Sequence, residues 1–323
     1  MKYRSLGKSG IKVSELGYGC WPIGGGWGSQ NDDNDIRSLR GAYDRGVNFF
    51  DTAMLYGKGH SEEVLGRAFK GMRDKVVIAS KIGSKDKAEL PVDQAYPPDW
   101  IVKCTEDSLR RLQTDYLDVQ QIHCWRKHFT DDPNWYEAML KLREQGKVRN
   151  IGISAQDWEW NGSVQITESG KIDSVQAIYN IFDQQPEERL FPEAIQHQVG
   201  IIVRVPLFEG LLSGNIRPGH RFAEGDWRAK FFKPERLEEA SRRLDRLSEL
   251  LDDESPTLAA LSLRFCLSHP AVSTVIVGMT TARHVEANCA VSDGRLLSTT
   301  KLAQLKEHTF KHGWSYPWHE QAA

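Results

Sequence analysis

The chain contains no apolar run approaching the roughly 20 residues that cross a bilayer, so no membrane span is expected. It also lacks any excess of charge: 42 Lys and Arg stand against 44 Asp and Glu, a net charge of −2. With no long basic stretch either, nucleic acid and anionic membrane surfaces are not the expected partners. Cysteine is scarce. Cys20, Cys104, Cys124, Cys266 and Cys289 are odd in number and show no CxxC spacing, which argues against a disulfide framework and an evident zinc site. Residues 1–7 lack the apolar core of a secretion signal, and a reduced, cytoplasmic setting is the expectation. In that setting Asn161-Gly162-Ser163 is a turn rather than a glycosylation site. No segment rich in Gly, Ser and Pro divides the 323 residues, so the chain is read as one domain, 1–323.

What is present is an α/β rhythm. Short apolar runs begin near Leu16, Val47, Val76, Leu117, Asn150, Ser174, Ile201 and Thr274, with helical patterns between them. Ile36, Leu39 and Tyr43 share one helical face; Ile101, Cys104, Thr105, Ser108, Leu109 and Leu112 share another. Asp99, after Pro97-Pro98, is the expected N-cap of the second helix. Eight strands, each followed by a helix, predict an α/β fold of the (β/α)8 TIM barrel type rather than an open sheet. Ahead of the barrel, residues 2–5 and 11–13 predict a small β-hairpin. Extra helices are predicted toward the C-terminus, with 234–251 a charged helix ahead of the regular one near Pro256. Residues 205–233 form a long connection, of a length usually either functional or disordered. The tail 311–323 carries Trp314, Tyr316 and Trp318, expected to dock near the barrel mouth.

One stretch organises the rest. Asp51-Thr52-Ala53-Met54-Leu55-Tyr56 follows the apolar run 47–50, so a carboxylate at a strand end and a phenol in the next loop converge. A phenol is a poor acid at neutral pH, with an ordinary pKa of about 10. A nearby cation lowers it, and a carboxylate can hold that cation. Lys81, closing the strand 76–81, is the candidate, and His123 ends the next strand. Taken singly, each has a bland reading as a turn residue, core ring, solvated lysine or structural histidine. Their order on three consecutive strands favours function. In a barrel enzyme catalytic groups sit at the C-terminal strand ends, where Asp51, Lys81, His123, Ser154, Gln176, Arg204 and Gly278 all fall. The run Gly24-Gly25-Gly26-Trp27-Gly28 does not match G-x-G-x-x-G, since Ser29 stands where the last glycine belongs, and is read as a mobile loop at the mouth. Only Asp51 and His123 could serve a metal at the strand ends, so no metal site is expected.

Asp51-Thr52-Ala53 with Tyr56-Gly57, Lys81 after a strand, and Gln121-Ile122-His123 resemble the aldo-keto reductases, in their bacterial form, from about residue 3 to about residue 288. The resemblance implies that the hairpin plugs the barrel bottom. It implies Tyr56 as general acid toward a carbonyl oxygen, Lys81 lowering the phenol pKa, Asp51 paired with Lys81, and His123 orienting the substrate. It also implies a nicotinamide cofactor, NADP(H) in preference to NAD(H), because no side chain supplies a hydride.

The same resemblance assigns Ser154 and Gln176 to the nicotinamide carboxamide; Ala155 departs from the usual Asn or Asp. The stretch Pro206-Leu207 with Gly210-Leu211-Leu212-Ser213-Gly214 resembles the loop that covers the pyrophosphate. Gly19, Cys20 and Trp21 fall in the cofactor set as well. Gly278 and Asn288 match the adenosine site; Met279, Thr280 and Thr281 are uncharged there, leaving Arg283 or His284 to reach a 2′-phosphate. Arg204 stands where a ring often stacks on the nicotinamide, and its charge would disfavour the oxidised form and favour reduction. Trp21 and Trp125 line the implied substrate pocket, with Trp27 and the tail tryptophans closing its mouth; Cys124 is read as an inert buried thiol. The substrate is a small-molecule carbonyl compound or alcohol. The alternative from another class is a nucleotide-binding regulatory subunit resembling potassium-channel β-subunits.

Overall fold

The computed structural model describes residues 1–28, 31–86, 90–157 and 159–317; Ser29, Trp318 and the rest of the tail lie outside the described residues. Strands β1 (Tyr3–Ser5) and β2 (Lys12–Ser14) form an antiparallel hairpin. Eight parallel strands follow: β3 (Leu16–Gly19), β4 (Phe49–Asp51), β5 (Val77–Ile82), β6 (Leu117–Trp125), β7 (Val148–Ala155), β8 (Ser174–Ile178), β9 (Gly200–Arg204) and β10 (Val272–Val277). They close into a barrel in the order β10-β3-β4-β5-β6-β7-β8-β9. Helices lie between consecutive strands, so the fold is a (β/α)8 barrel, and helices Pro234–Ser248 and Thr299–Lys306 are additions to that plan.

Strand periodicity divides the apolar residues into two separate cores. Successive side chains point to opposite faces, and residues paired in register share a face. Phe50, Ile78, Ile122, Ile153, Val175 and Val203 face outward and pack under the helices. Phe49, Ala79, Val119, Ile202 and Ile276 face inward and form a second cluster with Leu6 and Val13 of the hairpin. The hairpin therefore plugs the bottom of the barrel, as expected. Two steps further along the strands the inward positions turn polar: Asp51, Lys81, Gln121, Ser154 and Gln176 are all buried. The change from apolar plug to polar top at the C-terminal strand ends is what places the site.

Two local expectations are corrected. Asp99 is not the cap of its helix. Pro98 begins the helix Pro98–Leu112, Pro97 stands at the cap, and Asp99 lies in the first turn. The fixed φ of proline suits a first helical position, and a carboxylate in the first turn favours the helix dipole without capping it. The strand expected from Val47 starts at Phe49, because the Val47 N–H closes onto the Ala42 carbonyl at 3.1 Å and stays in the turn.

Removing the plug should destabilise the whole barrel. Leu6 is fully buried, so Leu6→Ala is expected to cost about 2–5 kcal/mol in chemical denaturation. An unchanged midpoint would mean that the hairpin is not part of the cooperative unit.

Candidate active site

The polar top is organised around one ammonium. Lys81 Nζ donates to Asp51 Oδ1, to the Thr52 carbonyl at 2.9 Å and to the Tyr56 phenol oxygen at 2.9 Å. The far oxygen of Asp51 accepts from Gln176 Nε2 at 2.8 Å and from Gln121 Nε2 at 3.2 Å. Gln121 has room to lean in because its neighbour in register is Gly152: a Cβ there would lie 2.6 Å from Ser174 Oγ and 3.1 Å from Gln121 Cγ. Tyr56 is fixed from behind. A Cβ on Gly24 would lie 2.7 Å from the Tyr56 carbonyl carbon, so only glycine lets the loop after β3 support this residue. Trp21 meets the Tyr56 ring edge-on with centroids 4.8 Å apart.

The electrostatics depart from the expectation in one respect. Burial raises the Tyr56 phenol above its ordinary value, and Lys81 only partly offsets this. Lys81 does act in the expected direction, but burial, helped by the Asp51 charge, outweighs it. Burial works against the Lys81 ammonium too, yet Asp51 and Tyr56 hold its pKa above the usual lysine value. Burial, with the charges of Lys81 and Arg204, holds His123 well below the ordinary histidine range, so its imidazole is neutral. His123 Nδ1 is buried with no hydrogen-bond partner among the described residues.

Above this floor opens a cavity of roughly 400 Å³. The structure brings Asp51, Tyr56 and His123 to its wall together with Gly19, Trp21, Ser154, Gln176, Arg204, Pro206, Leu207, Gly210 and Gly278. Trp27, from the glycine-rich run, reaches the wall over Gly278. Several expected residues are elsewhere. Cys20 braces the floor through its backbone, donating to the Asp51 carbonyl at 2.8 Å and accepting from Ser61 at 3.0 Å; its thiol is buried in the outer core. Leu212 is a core residue, and Gly214 caps the preceding turn in a left-handed conformation. Thr280 and His284 meet each other at 3.3 Å on the surface, and Asn288 is buried in the helix Ala282–Cys289.

Trp125 is the clear correction. It does not line the cavity but packs, 1 % exposed, edge-on to Phe129 and Trp135. The ladder between β6 and β7 slips between Ile122 and Trp125, and Cys124 there takes φ 58°. That irregularity sends Trp125 into the helix layer and leaves Cys124 on the cavity wall, partly exposed rather than buried. Arg204 does reach the cavity, but its guanidinium is engaged: Nη2 donates to Asp157 at 2.7 Å and to the Ala155 carbonyl at 3.0 Å. Asp157, Glu209 and Trp227 also line the cavity and were missed, while Tyr316 reaches it from the tail expected at the mouth. The signal for Asp157 was an acidic residue only two positions past Ala155, where the resemblance expects Asn or Asp.

The residues present fit a nicotinamide dinucleotide. Val205, Phe208 and Glu209 all take positive φ, at 57°, 46° and 55°, before Gly210 at 93°. Such strain clusters at ligand clamps. The orphaned His123 Nδ1 is a second sign of a missing polar partner at the cavity.

Comparison with known proteins agrees. The Aldo/keto reductase family profile matches residues 15–309. "Aldo-keto reductase YhdN" of Bacillus subtilis is 33% identical, over 89% of this chain and 87% of its own. A "probable voltage-gated potassium channel subunit beta" of Arabidopsis thaliana is 33% identical, over 91% and 92%. The "NADH-specific methylglyoxal reductase" of Escherichia coli is 29% identical, over 90% and 93%. Among solved structures, the holo form of aldo-keto reductase AKR11C1 from Bacillus halodurans superposes with a TM-score of 0.76 at 30% identity, covering 97% of this chain and 99% of its own. An aldo/keto reductase from Klebsiella pneumoniae in complex with NADP and acetate gives 0.69 at 27% identity, covering 98% and 99%.

The ammonium and its carboxylate should be energetically inseparable. Breaking a buried pair from one side leaves the other charge uncompensated, at about 3–5 kcal/mol. Lys81→Met alone should lose about that much in denaturation, and adding Asp51→Asn should recover most of it. A double variant as unstable as the sum of the singles would show that the two residues do not act as a pair.

Proposed function

The chain belongs to the aldo/keto reductase family of oxidoreductases, and we propose that it reduces an aldehyde or ketone to an alcohol with NADP(H), with Tyr56 as the general acid. The observation that carries this reading is the buried Lys81–Tyr56 contact of 2.9 Å at the cavity floor. Because Lys81 donates to the phenol oxygen, the phenol's own proton is left for a bound carbonyl oxygen. As the carbonyl carbon gains a hydride, its oxygen takes that proton, and the phenolate left behind is balanced by the ammonium. Neutral His123 donates a hydrogen bond to the same oxygen and orients it. Asp51, with Gln121 and Gln176 on its second oxygen, holds the ammonium in place. A nicotinamide cofactor supplies the hydride when bound. Ser154 and Gln176 would hold its carboxamide, and the turn around Gly210 its pyrophosphate.

The raised phenol supports reduction as the favoured direction at neutral pH. Tyr56 stays protonated there, as an acid must; alcohol oxidation needs the phenolate and should rise with pH. Arg204 does not supply that preference, since Asp157 already balances its charge. NADP(H) is preferred over NAD(H) on the strength of Arg283 and His284 in the helix Ala282–Cys289 that follows Gly278 in sequence, with the NADP-bound Klebsiella structure in support. The similarity to a potassium-channel β-subunit keeps a nucleotide-sensing role as the second reading.

Tyr56→Phe keeps the ring and removes the proposed acid, so carbonyl reduction with NADPH should fall about 10²–10⁴-fold while cofactor affinity holds. Reduction at the wild-type rate would remove Tyr56 from the role. A wild-type protein that binds cofactor but turns over no carbonyl compound would favour the sensor. For the cofactor, a hydrogen bond to a charged group contributes about 1.5–3 kcal/mol. Replacing Arg283 and His284 together by Ala should therefore weaken NADPH by about one to two decades and leave NADH nearly unchanged. Equal losses would show that this region does not read the phosphate.

A further inference from the structure

We propose that Tyr96 is a positioning residue for His123: its phenol holds the backbone bulge that aims the imidazole into the cavity, and the proposal rests on the carbonyl-reducing reading above. The bulge lies where β6 and β7 fall out of step. Ile122 pairs with Ile153 and Trp125 with Ala155, so His123 and Cys124 stand opposite the single residue Ser154. On the other side, the ladder with β5 ends on the pair Ile82 and Ile122. Bulges at barrel rims leave the extra residue outside the ladder and re-aim side chains. Here His123 and Cys124 both reach the cavity wall, where strict alternation would turn one of two neighbours away.

This conformation needs support. Cys124 takes φ 58°, a left-handed backbone that a residue with a side chain keeps only where its surroundings over-determine it. Tyr96 supplies such support by donating its phenol O–H to the His123 carbonyl, at the residue where the bulge begins. The donor is itself fixed. Tyr96 is buried and follows the short helix Val92–Ala95, with its N–H on the Val92 carbonyl at 2.6 Å. Its ring meets Phe129 edge-on with centroids 5.5 Å apart, and Phe129 meets Trp125 edge-on at the same separation. One aromatic cluster thus grips the bulge at both ends, through the carbonyl of His123 and the ring of Trp125. The imidazole lacks a comparable hold of its own, since Nδ1 has no hydrogen-bond partner among the described residues. Its aim beside Tyr56, with ring centroids 6.3 Å apart, is therefore set through the backbone. Without the phenol the His123 carbonyl loses that partner and the bulge is free to relax. A displacement of about 1 Å at a reacting group can cost about a hundredfold in rate.

Tyr96→Phe keeps the ring against Phe129 and removes only the donor. Reduction of para-nitrobenzaldehyde by NADPH is followed in the unaltered protein, in Tyr96→Phe, in His123→Ala and in the double variant. Tyr96→Phe should lower kcat about ten- to hundredfold and leave NADPH affinity unchanged. In the His123→Ala background the same substitution should change kcat by less than about twofold, because no imidazole is left to misplace. An unchanged kcat in Tyr96→Phe overturns the proposal. So does an equal fall in both backgrounds, which would show Tyr96 acting on the fold at large rather than through His123. Amide hydrogen exchange of residues 121–126 reads the bulge without turnover. It should quicken at least about tenfold in Tyr96→Phe, and unchanged exchange overturns the proposal. A Tyr96→Phe protein that no longer binds NADPH reports misfolding, and the unaltered protein then decides. Its residues 121–126 should exchange as slowly as residues 77–82 of β5, and exchange at the rate of an open loop overturns the proposal. Absence of aldehyde turnover in the unaltered protein, with quickened exchange in Tyr96→Phe, sinks the reductase reading and leaves the hold on the bulge standing.

Discussion

An ammonium sealed inside a barrel is the constraint on which the rest of this structure depends. Lys81 is fully buried, and an unpaired charge there costs several kcal/mol in desolvation. Its three donor bonds, to Asp51, Thr52 and Tyr56, are what make that position tolerable. Those bonds place demands outward. Asp51 needs Gln121 and Gln176 to satisfy its second oxygen. Gln121 needs a glycine at 152 to make room, and Tyr56 needs a glycine at 24 behind it. A hydrophobic replacement of the same volume would often be as stable. A buried pair with this much support is therefore better explained by what it does to the phenol than by what it does for the fold.

The barrel supplies the low dielectric in which that pair acts. Its described apolar residues form two separate cores: one lies under the helices, and the other is the small inner plug sealed by Leu6 and Val13. The plug keeps water from reaching the polar layer from below, so the cavity is its only evident approach among the described residues. Exclusion of water raises the phenol and strengthens its contact with the ammonium at once. The two effects oppose each other in the resting state. They act together when a carbonyl oxygen takes the proton and the phenolate forms beside a fixed positive charge.

How much of this was legible in the sequence follows from the range over which each feature is determined. Strand ends were readable because alternation and apolar runs are local, and Asp51, Lys81 and His123 could be set at one end of the barrel from strand order alone. Trp125 was misread because its direction depends on a slip of the β6–β7 ladder, and nothing in Ile122-His123-Cys124 announces a left-handed cysteine. The rise of the Tyr56 phenol was missed because burial is a property of the closed barrel, whereas the attraction of a lysine can be guessed from spacing. Glu209 and Tyr316 lie 107 positions apart, and their contact exists only once the tail has docked.

That docking gives the cavity a wall the barrel alone lacks. Phe310, Trp314 and Tyr316 pack against Phe182, Phe208 and Phe231, which belong to the loop after β8, the turn after β9 and the short helix that follows it. Aromatic rings supply much contact area at little cost in conformational freedom, which suits a segment with no regular structure of its own. The phenol of Tyr316 then ends on Glu209, inside the turn with three consecutive left-handed residues. Strain of that kind persists only where the surroundings over-determine it. Here the aromatic cluster and the Tyr316–Glu209 bond do so from one side, and the Arg228–Glu209 carbonyl contact at 3.3 Å does so from another. The described part of the tail therefore acts on the proposed chemistry by fixing the turn that shapes the cavity.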